Sequence, residues 1–161
     1  MRLLWLVCVL GCSKGGDWNK AREVYCDAVA VHHRLVDGRF GETLAVANAV
    51  PEPSVGETAT VTIKRFTTCE AIAAQLEGTR VAMESFEAGA RGIVEGRPGD
   101  SLTEAGFADL DARFDPIMAR RPILNACSRG DRAETEKRVS ELRDTSLERI
   151  QQSIDAYKRV R

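Results

Sequence analysis

The longest amphipathic pattern in this chain lies between residues 69 and 93, and it constrains the fold more than any other feature. Its apolar and small side chains recur every three or four residues, at Cys69, Ile72, Leu76, Thr79, Met83, Phe86, Ala90 and Ile93. This spacing places all of them on one face of an α-helix. Because a helix with one apolar face must bury that face, the pattern predicts a helix that packs against other elements of the chain.

Two further segments show the same periodicity, one on each side of this helix. Near the amino terminus, the predicted face of a first helix consists of Trp18, Ala21, Tyr25, Ala28, His32 and Leu35. Asp17 precedes it as a predicted N-cap, and Asp37-Gly38 is its predicted end. Near the carboxyl terminus, Asp131 and Glu134 predict the start of a last helix. Its apolar side consists of Val139, Leu142, Leu147, Ile150, Ile154 and Tyr157.

A third helical region is predicted between residues 101 and 128. A capping box at Ser101–Glu104 predicts its start, and Asp115-Pro116 predicts a second start within it. Pro122 predicts a further interruption, and the region is expected to end near Ser128. Four amphipathic helical regions with short links predict an all-α fold, namely a small bundle of about four helices.

The segment near residues 40–66 allows two interpretations. In one interpretation, residues 40–50, which are rich in Ala and Val, extend the first helix. Pro51–Gly56 then predicts a turn or loop. Residues 58–66 alternate Val and Ile with threonines, which is typical of an extended segment. We expect a helical first flank and an irregular second flank, with a short hairpin as the alternative. A capping box at Thr67–Glu70 then predicts the start of the next helix.

The first twelve residues have a different character from the rest of the chain. Arg2 precedes the apolar run Leu3–Leu10, which is followed by Gly11 and Cys12. As a helix this run spans about 12 Å, which is too short to cross a bilayer core of about 30 Å. Val9-Leu10-Gly11-Cys12 resembles the lipobox of bacterial lipoproteins, which has an aliphatic residue three positions before the cysteine and a small residue directly before it.

The resemblance implies how the chain is processed and where it is held. Residues 1–11 would be a cleaved lipoprotein signal peptide, and the Cys12 thiol would carry diacylglycerol while its amine is acylated. Residues 12–17 would form a lipid-anchored tether and residues 18–161 a single helical domain. Ser13, next to the lipidated cysteine, implies the outer membrane of a Gram-negative envelope, with the domain facing the periplasm. The implied partner is the lipid bilayer, through acylated Cys12.

The remaining cysteines are Cys26, Cys69 and Cys127, since Cys8 leaves with the signal peptide. An oxidising compartment favours one disulfide among these three. In an up-and-down bundle, the start of the second helix and the end of the third lie at the same end. We therefore favour a Cys69–Cys127 disulfide, with Cys26, which is nearer the other end, as the alternative partner.

Few residues in the sequence suggest chemistry at a bound group. His32 and His33 are adjacent on a predicted helix and diverge by about 100°, whereas a chelating pair needs a spacing of three or four. We therefore predict no metal site and no cofactor. Met83 and Met118, together with His32, imitate the axial ligands of a haem-binding bundle, but the sequence has no C-x-x-C-H for covalent haem attachment.

Composition and motifs narrow the function to a few classes. The chain has 23 basic and 24 acidic residues, so it lacks the basic excess of proteins that bind nucleic acid. It contains no H-E-x-x-H, S-x-x-K or C-x-x-C motif, and we predict no catalytic residue and no enzymatic activity. We expect an envelope lipoprotein with a structural or protein-interaction role and an unknown envelope protein as partner. The alternative is a helical carrier of a small ligand, a metal or haem.

Overall fold

The computed structural model of the chain describes residues 18–95 and 116–159. They form four α-helices, which are α1 (Trp18–Ala47), α2 (Ala59–Glu95), α3 (Pro116–Ser128) and α4 (Arg132–Arg159). No strand occurs in these two stretches. The predicted all-α bundle of about four helices is confirmed.

The helices form a closed ring in which α1 packs against α2 and α4, and α3 packs against the same two helices. Helices α1 and α4 are antiparallel, since Arg143 pairs with Asp37 while Arg132, at the start of α4, contacts Asn48 just after α1. Residues 48–58 connect α1 to α2, and residues 129–131 connect α3 to α4. Both connections lie at one end of the bundle, which we call the loop end.

The core contains apolar residues from all four helices. The α2 and α4 faces predicted from the sequence are confirmed where their side chains are described, since Ile72, Met83, Val139 and Ile150 are buried. Hydroxyl groups fill four other buried positions, and each donates a hydrogen bond of 2.5–2.9 Å to the carbonyl four residues earlier. These residues are Thr43, Thr79, Thr135 and Ser146. The backbone bonds satisfy the buried donors without polar partners across the core.

The predicted core face of α1 is wrong. Leu35 lies on that predicted face but is 54% exposed, whereas Val29, Val36 and Phe40 are buried. The helix carries two apolar stripes on different sides, and the stripe that continues to Phe40 faces the other helices. Periodicity identifies an apolar stripe but does not identify which of two stripes meets a partner.

The extended segment predicted for residues 58–66 is also wrong, because Ala59–Phe66 are the first two turns of α2. The predicted cap at Thr67 lies inside this helix, where its hydroxyl donates to the Lys64 carbonyl at 3.0 Å. Ile63 is exposed, so the alternating pattern does not mark a buried strand face. On the other flank, α1 extends to Ala47 as expected, and residues 48–58 form a loop and not a hairpin.

Two of the predicted helix breaks do not occur. α1 continues through Gly38, and α3 continues through Pro122. A glycine inside a helix costs about 1 kcal/mol and a proline about 3 kcal/mol. Neighbouring buried side chains offset these costs. Phe40, two residues after Gly38, is buried, and so is Ile123, directly after Pro122. The end of α3 at Ser128 is confirmed, while the predicted cap at Asp115 lies outside the described residues. The predicted caps at Asp17 and at Ser101–Glu104 lie outside the described residues.

Candidate functional site

Polar contacts hold the loop end together, and Arg65 of α2 is at their centre. Its side chain is only 11% exposed. The Nε atom donates a hydrogen bond to the Pro51 carbonyl at 2.9 Å, and Nη2 lies 2.8 Å from Oε2 of Glu57. The Thr62 hydroxyl donates to the other oxygen of Glu57 at 2.9 Å. Arg65 therefore ties the connection between α1 and α2 to the first turns of α2.

These contacts also change the acidity of Glu57. The hydrogen bond from Arg65 is the largest of the effects that lower the pKa of Glu57, and the bond from Thr62 adds to it. Because the pKa is lower in the folded chain than in the unfolded chain, the contacts stabilise the fold above the usual glutamate range. This stabilisation is lost as the pH falls through the lowered pKa.

The connection between α3 and α4 is a tight turn that ends one helix and begins the next. Gly130 has φ 72° and donates its amide to Cys127 at 2.8 Å, while the Asp131 amide donates to Ala126 at 3.0 Å. This pair of bonds is a Schellman motif. Oδ1 of Asp131 accepts the Glu134 amide at 3.0 Å, which confirms the predicted N-cap. In the predicted capping box the Glu134 side chain would also accept the Asp131 amide. That amide donates to the Ala126 carbonyl instead.

The two connections are in direct contact. A Cβ atom placed on Gly130 would lie 2.7 Å from Cδ of Pro53, 2.8 Å from the Pro51 carbonyl oxygen and 2.8 Å from Nε of Arg65. A second arginine, Arg132, pairs with Glu52 at 2.6 Å. The loop end is therefore one packed unit that joins all four helices.

The favoured cysteine pair lies next to this unit. Cys69 follows Arg65 by about one helical turn, and Cys127 precedes Gly130. The two sulfur atoms lie 1.96 Å apart and the Cα atoms 5.8 Å apart, a Cα separation within the usual disulfide range. Cys26 is in the first third of α1, about 30 Å along the axis from the end of that helix. Its partly buried side chain packs against the core.

The other residues singled out in the sequence do not converge on one described site. Cys12 and its tether lie outside the described residues. His32 is half-buried in α1, and burial lowers its pKa. Met83 is part of the core, while the side chain of Met118 is outside the description. Within residues 18–95 and 116–159, no three His, Cys, Asp or Glu side chains are close enough to hold one metal ion. The predictions about metals, cofactors and the carrier alternative stay predictions.

An open depression of about 460 Å³ lies on the surface of the loop end. Its lining residues are Glu52, Pro53, Arg129, Gly130, Asp131, Arg132 and Ala133. Binding sites for small molecules are mostly enclosed and apolar. Here Arg132 already pairs with Glu52, and the Asp131 carboxylate already caps α4. These groups hold the connections together.

Two features of the described surface were missed in the sequence. Arg65 was not recognised because its segment was interpreted as extended, although Pro51–Gly56 marked the loop that it binds. The outward side of α1 was missed because two of its residues, Ala28 and Leu35, were assigned to the core face. That side exposes Val24, Val31 and Leu35 to 54%, 46% and 54%. The turn at Gly130, by contrast, was indicated by the sequence, because a glycine lies just beyond the predicted helix end near Ser128.

None of the described helices is both long enough and apolar enough to cross a membrane. No protein-family model, no curated protein and no solved structure matches this chain. Its function is therefore inferred from its own residues.

Proposed function

We propose that this chain is a lipid-anchored lipoprotein of a bacterial envelope, with a non-catalytic structural or protein-interaction role at the membrane. The observation that carries the proposal is Val9-Leu10-Gly11-Cys12, directly after a short apolar run with one preceding arginine. Each buried acyl methylene contributes about 0.8 kcal/mol, and several acyl chains on one cysteine give stable anchoring.

The cysteine pair supports export from the cytoplasm. Cys69 and Cys127 have the Cα separation of a disulfide, and disulfides persist in oxidising compartments such as the bacterial periplasm. A lipoprotein domain that faces the periplasm would keep this bond. The pair and the amino-terminal sequence are independent features that agree on one compartment.

The polar contacts of the loop end support a structural role. Arg65, Glu57 and Arg132 are engaged in holding the two connections together, with contacts between 2.6 and 2.9 Å. A tether at residues 12–17 extends over at most about 20 Å, so that α1 would begin close to the lipid headgroups. Ser13 favours the outer membrane in a Gram-negative host. The bundle would then be a compact module that another envelope protein contacts beside the bilayer.

Replacement of the lipidated cysteine tests this proposal. When the chain is produced in a bacterium fed with a palmitate analogue that can be labelled, the wild-type chain is expected to incorporate the label. Cys12→Ala is expected to lose all of it, because the thiol that starts the modification is gone. Cys8→Ala is the matched control and is expected to keep the label, since Cys8 lies in the segment to be removed. Equal labelling of the Cys12→Ala and wild-type chains would contradict the proposal.

A further inference from the structure

The side of α1 that faces away from the bundle carries an apolar stripe, which we call the α1 outer stripe. It consists of Val24, Ala28, Val31 and Leu35, spaced by four, three and four residues. Val24 and Leu35 are each 54% exposed and Val31 is 46% exposed. The buried residues Val29, Val36 and Phe40 lie on a different side of the same helix, so the core leaves this stripe open.

The spacing of the stripe matches the seam of a two-stranded coiled coil. Apolar residues at such spacing pack into the gaps of a second helix that has the same pattern. The next seam position after Leu35 is Gly38, and a Cβ atom placed there would meet no atom of residues 18–95 or 116–159 within 4 Å. The surface therefore stays open beyond the stripe. A second copy of α1 supplies a helix of the required pattern.

Two charges beside the stripe select one arrangement of the two copies. Asp27 and Arg34 are exposed on the same flank, and neither forms an ion pair with any residue of the described ranges. In an antiparallel arrangement that packs Val24 against Leu35 of the second copy, each Asp27 lies beside Arg34 of the other copy. A parallel arrangement would instead place Arg34 beside Arg39 of the second copy, which is repulsive.

We propose that two copies of this chain associate through their α1 outer stripes, antiparallel and about a two-fold axis. The inference rests on the interaction role proposed above, and it identifies the partner as a second copy of the chain. The residues that support it are in α1 and not at Cys12. A seam of four residues per copy buries little area, so the contact is a weak one. Anchoring to one membrane raises the local concentration of the two copies. Both tethers reach the same bilayer when the paired helices lie along its surface.

Exchange of the two charges tests both the contact and its direction. The full, acylated chain is produced with two different tags and extracted in detergent, and the dimer fraction is measured by native mass spectrometry. Asp27→Arg alone and Arg34→Asp alone are each expected to weaken the homodimer at least about tenfold, since two attractive pairs become repulsive. Co-expression of these two variants is expected to restore a heterodimer, because the introduced arginine of one copy then faces the introduced aspartate of the other. A wild-type chain that stays monomeric, or a lack of restoration, overturns the inference.

A matched pair of valine substitutions controls for general surface effects. Val31→Asp is expected to abolish the dimer, whereas Val81→Asp on α2, where the valine is 49% exposed, is expected to leave it unchanged. The reverse result overturns the inference. A membrane-binding role for the stripe would also overturn the inference. It would be shown if an unacylated Cys12→Ser chain forms no dimer but binds phospholipid vesicles, and if Val31→Asp abolishes that binding. Palmitate labelling of the same preparations reports on Cys12 separately, so a wild-type chain that is labelled but monomeric contradicts the dimer and leaves the anchor proposal intact.

Discussion

Reduction of the Cys69–Cys127 disulfide is expected to lower the free energy of unfolding by about 4 kcal/mol at 25 °C. The bond joins residues separated by 58 positions, and opening a loop of that length restores conformational entropy to the unfolded chain. Domains of this size usually have a total stability of about 5–15 kcal/mol. The expected loss is therefore a large share of the whole. Urea unfolding of the oxidised and reduced chains measures it directly.

Two observations would contradict this prediction. One is an equal urea midpoint for the oxidised and reduced chains. The other is a disulfide-linked peptide that contains Cys26, found by peptide mapping without reduction, because that pairing requires a different arrangement of α1. Cys26→Ala is the matched control, since it removes a partly buried cysteine outside the pair. It is expected to cost about 1 kcal/mol or less in the oxidised chain.

Gly130→Ala is expected to destabilise the fold by about 2–4 kcal/mol. The residue has φ 72°, where a side chain alone costs about 1–2 kcal/mol. The added Cβ would also lie 2.7 Å from Cδ of Pro53 and 2.8 Å from the Pro51 carbonyl oxygen, so that the two connections of the loop end would have to separate. Thermal and urea unfolding of the oxidised chain measure the effect.

Gly56→Ala is the matched control for this substitution. Gly56 has a similar φ of 76°, but a Cβ atom there would meet no atom of the described residues within 4 Å. Its expected cost is about 1–2 kcal/mol, which reflects the backbone conformation alone. The difference between the two variants measures the crowding at the loop end. Equal costs for both variants would mean that the two connections do not press against each other as described.

The sequence predicted those features that depend on a single dominant pattern. α2 and α4 each have one strong apolar stripe, and Ile72 and Ile150 are buried as predicted. α1 has two stripes of similar strength, and the choice between them depends on where α2 and α4 lie. The sequence around Ile63 was misinterpreted because β-branched residues favour strands only weakly. At this position the residue is exposed on the first turns of a long helix.

The same distinction applies to the candidate site. The Cys69–Cys127 pair was predictable because helix order alone places the amino-terminal part of α2 and the end of α3 at the same end of the bundle, although α2 begins at Ala59 and not beside Cys69. The contacts of Arg65 were not, because they depend on the path of residues 48–58, which no periodic pattern specifies. The hydrogen bond from Arg65 to the Pro51 carbonyl spans 14 residues and requires that loop to be in place.

The intact mass of the mature chain, purified from bacterial membranes, tests the central proposal most directly. We expect a chain that begins at Cys12 and carries the added mass of a diacylglycerol group and of an amide-linked acyl chain. Fragmentation should place both additions on that residue. An unmodified amino terminus at any residue other than Cys12 would contradict the proposal that this protein is a lipid-anchored module of the envelope.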